Sequence, residues 1–109
     1  MIRINPRITM LEKIDRTIHE PGRLLILIYL FSVEKADFTF LKHQTGMTQG
    51  NLSSHLQKLE AAGYVLTEKK FRNRRPLTLV RISDKGQDAF RTYVREMHLY
   101  FSDLYEMVK

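Results

Sequence analysis

"TQGNLSSHLQKLEAAGYV", Thr48–Val65, reads as a helix that stops at a glycine and passes into a strand. At about 100° per residue, Leu52, Leu56 and Leu59 share one face and give the helix a stripe to dock on a core. The opposite face carries Gly50, Ser54, Gln57 and Lys58, which are small, amide or basic. Docking requires the leucines but not that outer face. Thr48 stands where its hydroxyl can accept a hydrogen bond from a first-turn N–H, and Gly63 ends the helix near Ala62.

Upstream, "TFLKHQTG" predicts a helix of two to three turns closed by Gly46. Thr45 to Thr48 then form a four-residue turn holding a glycine and the apolar Met47, which is helix-turn-helix spacing. "PGRLLILIYLFSVE", from Pro21, is apolar nearly all round and suits a central helix buried on most sides. Before it, Asn5-Pro6 predicts a helix start, with Leu11, Ile14 and Ile18 as its stripe and an end near His19. A very short extended piece is expected at Asp37 and Phe38.

Downstream, "YVLTEKKF" and "PLTLVRIS" are rich in β-branched and aromatic residues and flank "RNRR", a hairpin with a basic tip. Ser83 is placed to cap a final helix from Asp84 to about Met107. The expected fold is mainly α with a small β-hairpin: a helix-turn-helix with a wing and flanking N- and C-terminal dimerisation helices. The 109 residues make one domain, with an N-terminal helix over 1–20, a winged helix-turn-helix core over 21–83 and a C-terminal dimerisation helix over 84–109.

Composition sets the bounds. There are 18 Lys+Arg against 12 Asp+Glu, a formal net charge of +6 and a pI near 9.8, which favours a polyanionic partner, nucleic acid before membrane. No cysteine is present, so disulfides and thiolate metal sites are excluded and a cytoplasmic setting is expected. "MIRINPRITMLEK" has no apolar stretch with a cleavage site, and the run Leu24–Phe31 is too short to cross a bilayer.

With the capped turn, the hairpin and "ISDKG" in series, the sequence resembles the small winged-helix transcriptional regulators of the MarR and ArsR type. The resemblance runs from "HEPGRLLIL" through "ISDKGQDAF" and is strongest over "FLKHQTGMTQGNLSSHLQKLEAAGYV". It implies a homodimer whose second motif helix, residues 48–62, enters the DNA major groove. It also implies that the wing touches the backbone or minor groove.

Side chains that both donate and accept can read bases in the major groove. Gln49 and Asn51 can pair bidentately with adenine, and Thr48 and Ser54 can contact a base or phosphate. Lys58 reaches phosphate or guanine, and Gly50 lets the backbone come close. The bland alternative is an ordinary solvated face. His55 lies beside the leucine stripe, where a packed, hydrogen-bonded histidine and a DNA contact are both open readings. In the wing, Lys69, Lys70, Arg72, Arg74 and Arg75 surround Asn73. Clustered cations repel one another and are best tolerated beside phosphate or in a narrow A·T-rich minor groove. The competing reading is a charged loop that discourages edge pairing.

The last helix carries Phe90, Tyr93, Val94, Met97, Tyr100, Phe101, Leu104 and Val108 at steps of three and four, over a length that exceeds what a three-helix core needs. A partner chain is the expected cover, with Leu11, Ile14 and Ile18 joining the seam; the alternative reading is a monomer in which the first helix alone covers it. A two-fold dimer places two recognition helices roughly 34 Å apart on a near-palindromic operator. The seam aromatics, with Tyr105, offer room for a small apolar effector, though plain packing is the commoner use of such a stripe.

Catalysis has little to rest on. His19, His43, His55 and His98 are dispersed without metal-ligand spacing, no phosphate-binding glycine loop is present, and Ser53-Ser54 sits mid-helix. No catalytic residue, metal or cofactor is expected. The expected function is sequence-specific binding of double-stranded DNA by a transcriptional regulator, with repression as the default mechanism. The rivals are a winged-helix protein-interaction module and a non-specific, chromatin-like DNA coater.

Overall fold

The computed structural model describes residues 10–109. The helix start at Asn5-Pro6 lies outside them. The segment expected to run as a helix to His19 is instead a short 3-10 turn, Met10–Lys13, followed by turns. Asp15 accounts for the difference: its Oδ1 accepts from the backbone N–H of Thr17 at 2.9 Å and of Ile18 at 3.2 Å. A short carboxylate that captures local N–H groups competes with the helical ladder. Ile14 and Ile18 are still buried, so the apolar stripe survives without the helix.

Helix α1, Pro21–Val33, begins with proline at its first position, and the Glu20 side chain caps it through the N–H groups of Gly22 and Arg23. Strand β1, Lys35–Asp37, follows directly. Asp37 then caps α2, Phe38–Thr45, through the Phe40 N–H. Gly46 ends α2 at φ +69, a conformation that costs other residues about 1–2 kcal/mol. The Thr48 hydroxyl accepts from Asn51 N–H at 3.1 Å to open α3, Gln49–Ala61. The turn and both caps fall where the spacing predicts.

Strands β2, Val65–Arg72, and β3, Arg75–Ile82, form the wing, and α4, Asp84–Val108, completes the chain. The extended piece expected at Asp37 and Phe38 proves to be a true third strand, so the sheet has the antiparallel order β1-β3-β2. Lys35 pairs with Arg81, and Ala36 with Val80. In the wing, Val65 pairs with Ile82 and Arg72 with Arg75, leaving Asn73 and Arg74 as a two-residue turn. Both turn residues have positive φ, 51° and 65°, as the tight hairpin turn that matches strand twist demands.

Among the described residues, the largest fully buried side chains are Ile18, Ile26, Leu27, Leu30, Leu41, Leu52, Leu59, Val65 and Val80. Each contributes roughly 1.5–3 kcal/mol through burial. They come from the N-terminal turns, the first three helices and the sheet, so the core fixes α3 against α1 and α2. A polar hub locks α3, the wing and α4 together. Ser83 Oγ donates to Gly63 carbonyl oxygen and accepts from Gly86 N–H, while Ser83 N–H donates to Tyr64 carbonyl oxygen. At Gly86 the backbones touch: a Cβ there would sit 2.1 Å from the Tyr64 oxygen. Nearby, the Tyr64 hydroxyl donates to Asp15. Burial, with the Asp15 bond and charge adding to it, pushes the Tyr64 hydroxyl up to about 12.

Candidate nucleic-acid interface

Helix α3 separates its two faces cleanly. Leu52, Leu56 and Leu59 are buried, whereas Thr48, Gln49, Gly50, Asn51, Ser54, Gln57 and Lys58 are all exposed. Gln49 and Asn51 occupy the first turn beside the Thr48 cap. Ser54 and Lys58 follow along the same side at steps of three and four. Gly50 is also exposed, and a Cβ there would meet nothing within 4 Å. Gly50, Asn51, Ser54 and Lys58 thus share one outward face, Thr48 and Gln49 stand exposed at the open N-terminal turn, and among the described residues no side chain covers them.

His55 is used differently. Its ring is half-buried, with Nδ1 lying 3.4 Å from the Arg23 guanidinium and 3.5 Å from the Glu20 carboxylate. Arg23 also donates to the Thr17 carbonyl at 2.5 Å. Burial pushes the Glu20 carboxyl upward, but the N–H groups of Gly22 and Arg23, with the charges of His55 and Arg23, outweigh it and hold the carboxyl below its ordinary value. Of the two readings open for His55, the structure favours the packed one: its ring braces α3 against the start of α1.

The wing leaves the body quickly. Beyond Val65 every residue of β2 is exposed, including Lys69, Lys70 and Arg72, as are Asn73, Arg74 and Arg75 at the turn. Lys70 forms a 3.6 Å ion pair with Glu68, two residues nearer the base, so the outermost arginines are less neutralised than Lys70. Thr67 hydroxyl donates to the Glu60 carboxylate at 3.0 Å, which ties the base of the wing to the last turn of α3. Pro76 lies opposite Phe71, one pair beyond the turn. Pairs next to a two-residue turn alternate between hydrogen-bonded and non-bonded, so the N–H that proline lacks is not needed by β2.

Two features escape sequence reading. A groove of about 430 Å³ lined by Arg16, Thr17, Arg23, Lys58, Ala61 and Ala62 brings the exposed Arg16 beside Lys58. No local pattern links residues so far apart in sequence. On α4, the apolar residues fall into two stripes. Phe90, Tyr93 and Tyr100 are buried in the chain's own core, as are Ile14 and Ile18, so these five expected interface residues are not free to face a second copy. Leu11, Met97 and Leu104 are half-buried. Phe101 and Val108 stand exposed with Val94, His98 and Tyr105, at alternating steps of four and three along the helix. That spacing is visible in the sequence, but only the burial of Phe90, Tyr93 and Tyr100 separates this stripe from its neighbour. Beside it lies an open groove of about 610 Å³ lined by His98, Phe101, Ser102, Leu104, Tyr105 and Val108.

A helix-turn-helix with an open outer face and a cationic hairpin beside it has counterparts among known proteins. The profile of the winged helix DNA-binding domain family matches residues 23–101. The chain belongs to this family. An uncharacterized protein of Methanocaldococcus jannaschii is 40% identical over 75 residues, 69% of this chain and 82% of that protein. A solved transcriptional regulator homologue from Pyrococcus horikoshii is similar at 32% identity, with a TM-score of 0.83 over 88% of this chain and 97% of that one. MarR shares the fold at 14% identity, with a TM-score of 0.74 over 94% of this chain and 74% of MarR. Family and fold are those of transcriptional regulators. Among the described residues of this winged-helix chain, no helix is long and apolar enough to cross a membrane, and no His, Cys, Asp and Glu cluster could hold a metal ion.

Proposed function

We propose that this winged-helix chain is a cytoplasmic, homodimeric regulator that binds double-stranded DNA in a sequence-specific manner and represses transcription by occluding the promoter. The outer face of α3 carries the reading: Gln49, Asn51 and Ser54 stand exposed around Gly50, which has open space where a side chain would be. Glycine within a helix is unfavourable, and among the described residues no contact or backbone angle asks for it here. Close approach of a groove supplies the missing reason. Thr48, Gln49, Asn51 and Ser54 contact bases, while Lys58 and Arg16 hold phosphates beside them. Lys69, Lys70, Arg72, Asn73, Arg74 and Arg75 anchor the wing on the backbone or in the minor groove. These phosphate contacts set position and affinity, and the base contacts set choice.

The exposed stripe of α4, Val94, His98, Phe101, Tyr105 and Val108, is the surface for a second copy. Steps of four and three suit two helices packed along a seam. Closing that seam covers the 610 Å³ groove and places two α3 helices on one face of a duplex. Selection from a random duplex library at about physiological salt tests the proposal. A two-fold sequence with half-sites about one turn, roughly 34 Å, apart is the expected result. Bound but unenriched DNA would leave a non-specific coater, and the absence of binding would leave an interaction module.

A further inference from the structure

The wing carries one residue that charge does not explain. Phe71 is 78% exposed, yet it sits on β2 between Lys70 and Arg72 and directly across from Pro76. Side chains alternate between the faces of a strand, so Phe71 shares its face with Val65, Thr67 and Lys69. At the base of the wing that face lies on α3, where Thr67 bonds Glu60 at 3.0 Å. Val65 and Val80, also on it, are fully buried. Further out the same face runs clear of the body, and Phe71 and Pro76 form its apolar end. A duplex seated against the outer face of α3 meets this side of the wing. The surrounding cations, Lys69, Arg72, Arg74 and Arg75, choose the occupant: a polyanion is drawn in, whereas a protein surface would have to desolvate four charges.

We propose, resting on the DNA-binding reading above, that Phe71 backed by Pro76 is a wedge that enters the minor groove and opens a base step, bending the duplex toward the major groove. Apolar side chains used this way partly unstack a step, and the cost depends on which step is opened. Pyrimidine–purine steps such as TA give way most easily. The wing then adds sequence preference through deformability, at positions α3 does not touch, in addition to the affinity its cations supply.

The chain has no tryptophan, so Phe71→Trp installs a single reporter at the site. Phe71→Thr keeps a strand-forming residue while removing the ring, and the exposure of position 71 leaves folding undisturbed. Two duplexes of equal length serve as probes, one A·T-rich with TA steps and one G·C-rich, each carrying end-labels for energy transfer. The expected results are these: the tryptophan is quenched and shielded from acrylamide on the A·T-rich duplex, and the ends of that duplex move closer together. Phe71→Thr abolishes the bend and weakens A·T-rich binding roughly tenfold, with little change on the G·C-rich duplex. A tryptophan as accessible in the complex as in the free protein would overturn the wedge, as would wild-type bending by Phe71→Thr. So would an emission shift that follows protein concentration without DNA, which would make a second copy the occupant. If the wild-type chain binds neither duplex at low salt, the DNA-binding reading fails together with the wedge; every other failure leaves that reading standing.

Discussion

Replacing Gly50 with alanine should move stability and DNA binding in opposite directions. Gly50 is the second residue of α3, its backbone is helical, and a Cβ there meets nothing within 4 Å. No clash therefore opposes the methyl group. Alanine is favoured over glycine by about 0.8–1.0 kcal/mol in a helix interior. The first turn is only partly held by intrahelical bonds, so about half of that, roughly 0.5 kcal/mol, is expected here. For a chain of this size that raises Tm by about 2–4 °C. At the DNA the same methyl stands between the α3 backbone and the groove floor. It pushes the helix outward just where Gln49 and Asn51 must reach, and losing the equivalent of one good base contact costs about 1–3 kcal/mol. Thermal melting followed by circular dichroism, and anisotropy titration of the selected duplex at fixed salt, measure the two halves. Unchanged affinity would refute the close approach. A lowered Tm would refute the open space.

Four further outcomes follow from the same geometry. Gln49→Ala or Asn51→Ala should lose about 1–3 kcal/mol on the selected site and little on unrelated duplexes, whereas equal losses on all DNA in parallel titrations would remove them from base reading. Arg74→Gly should relieve the positive φ of 65° and stabilise the hairpin by about 1 kcal/mol, while the slope of log K against log salt falls in magnitude by about 0.9; an unchanged slope would take Arg74 off the phosphates. Gly86→Ala should destabilise the fold by about 3 kcal/mol or more in urea, since its Cβ would lie 2.1 Å from a backbone oxygen that cannot swing aside; wild-type stability would contradict the packing at that hub. Phe101→Glu should leave the far-ultraviolet spectrum intact and convert the proposed dimer to monomer in sedimentation, and a dimer that persists would place the seam elsewhere.

Local chemistry made the middle of the chain legible. Thr48 bonds a backbone N–H three residues on, Gly46 turns the chain by its own φ, and Asp37 caps the helix it precedes. Each of these acts within a few residues, so a single sequence displays them. Strand β1 depends instead on pairing Lys35 with Arg81, and nothing near either residue announces the other. The N-terminal turns depart from the expected helix because Asp15 offers the backbone a local alternative that an apolar stripe does not reveal. On α4 periodicity was visible but ambiguous. The stripe of Phe90, Tyr93 and Tyr100 and that of Phe101, Tyr105 and Val108 lie about 80° apart on one helix and merge into a single broad arc on the page. Only packing against α1 and the N-terminal turns decides which of them the chain keeps for itself.

The glycines show why the candidate site was harder to assign than the fold. Gly22 and Gly50 look alike in sequence, each near the start of a helix. At Gly22 a Cβ would lie 2.7 Å from His55 Nε2, so the absent side chain makes room for the ring that braces α3. At Gly50 the absent side chain makes room for nothing among the described residues. The first glycine helps assign His55 to the interior through a partner 33 positions away, a relation no helical wheel contains. The second has no structural use until something outside the chain approaches. What a helix presents outward is therefore fixed by subtraction: residues that brace α3, such as His55 and the leucines, are accounted for by the fold. Those the fold does not need, Gln49, Gly50, Asn51 and Ser54, are the ones the DNA-binding proposal assigns to a partner.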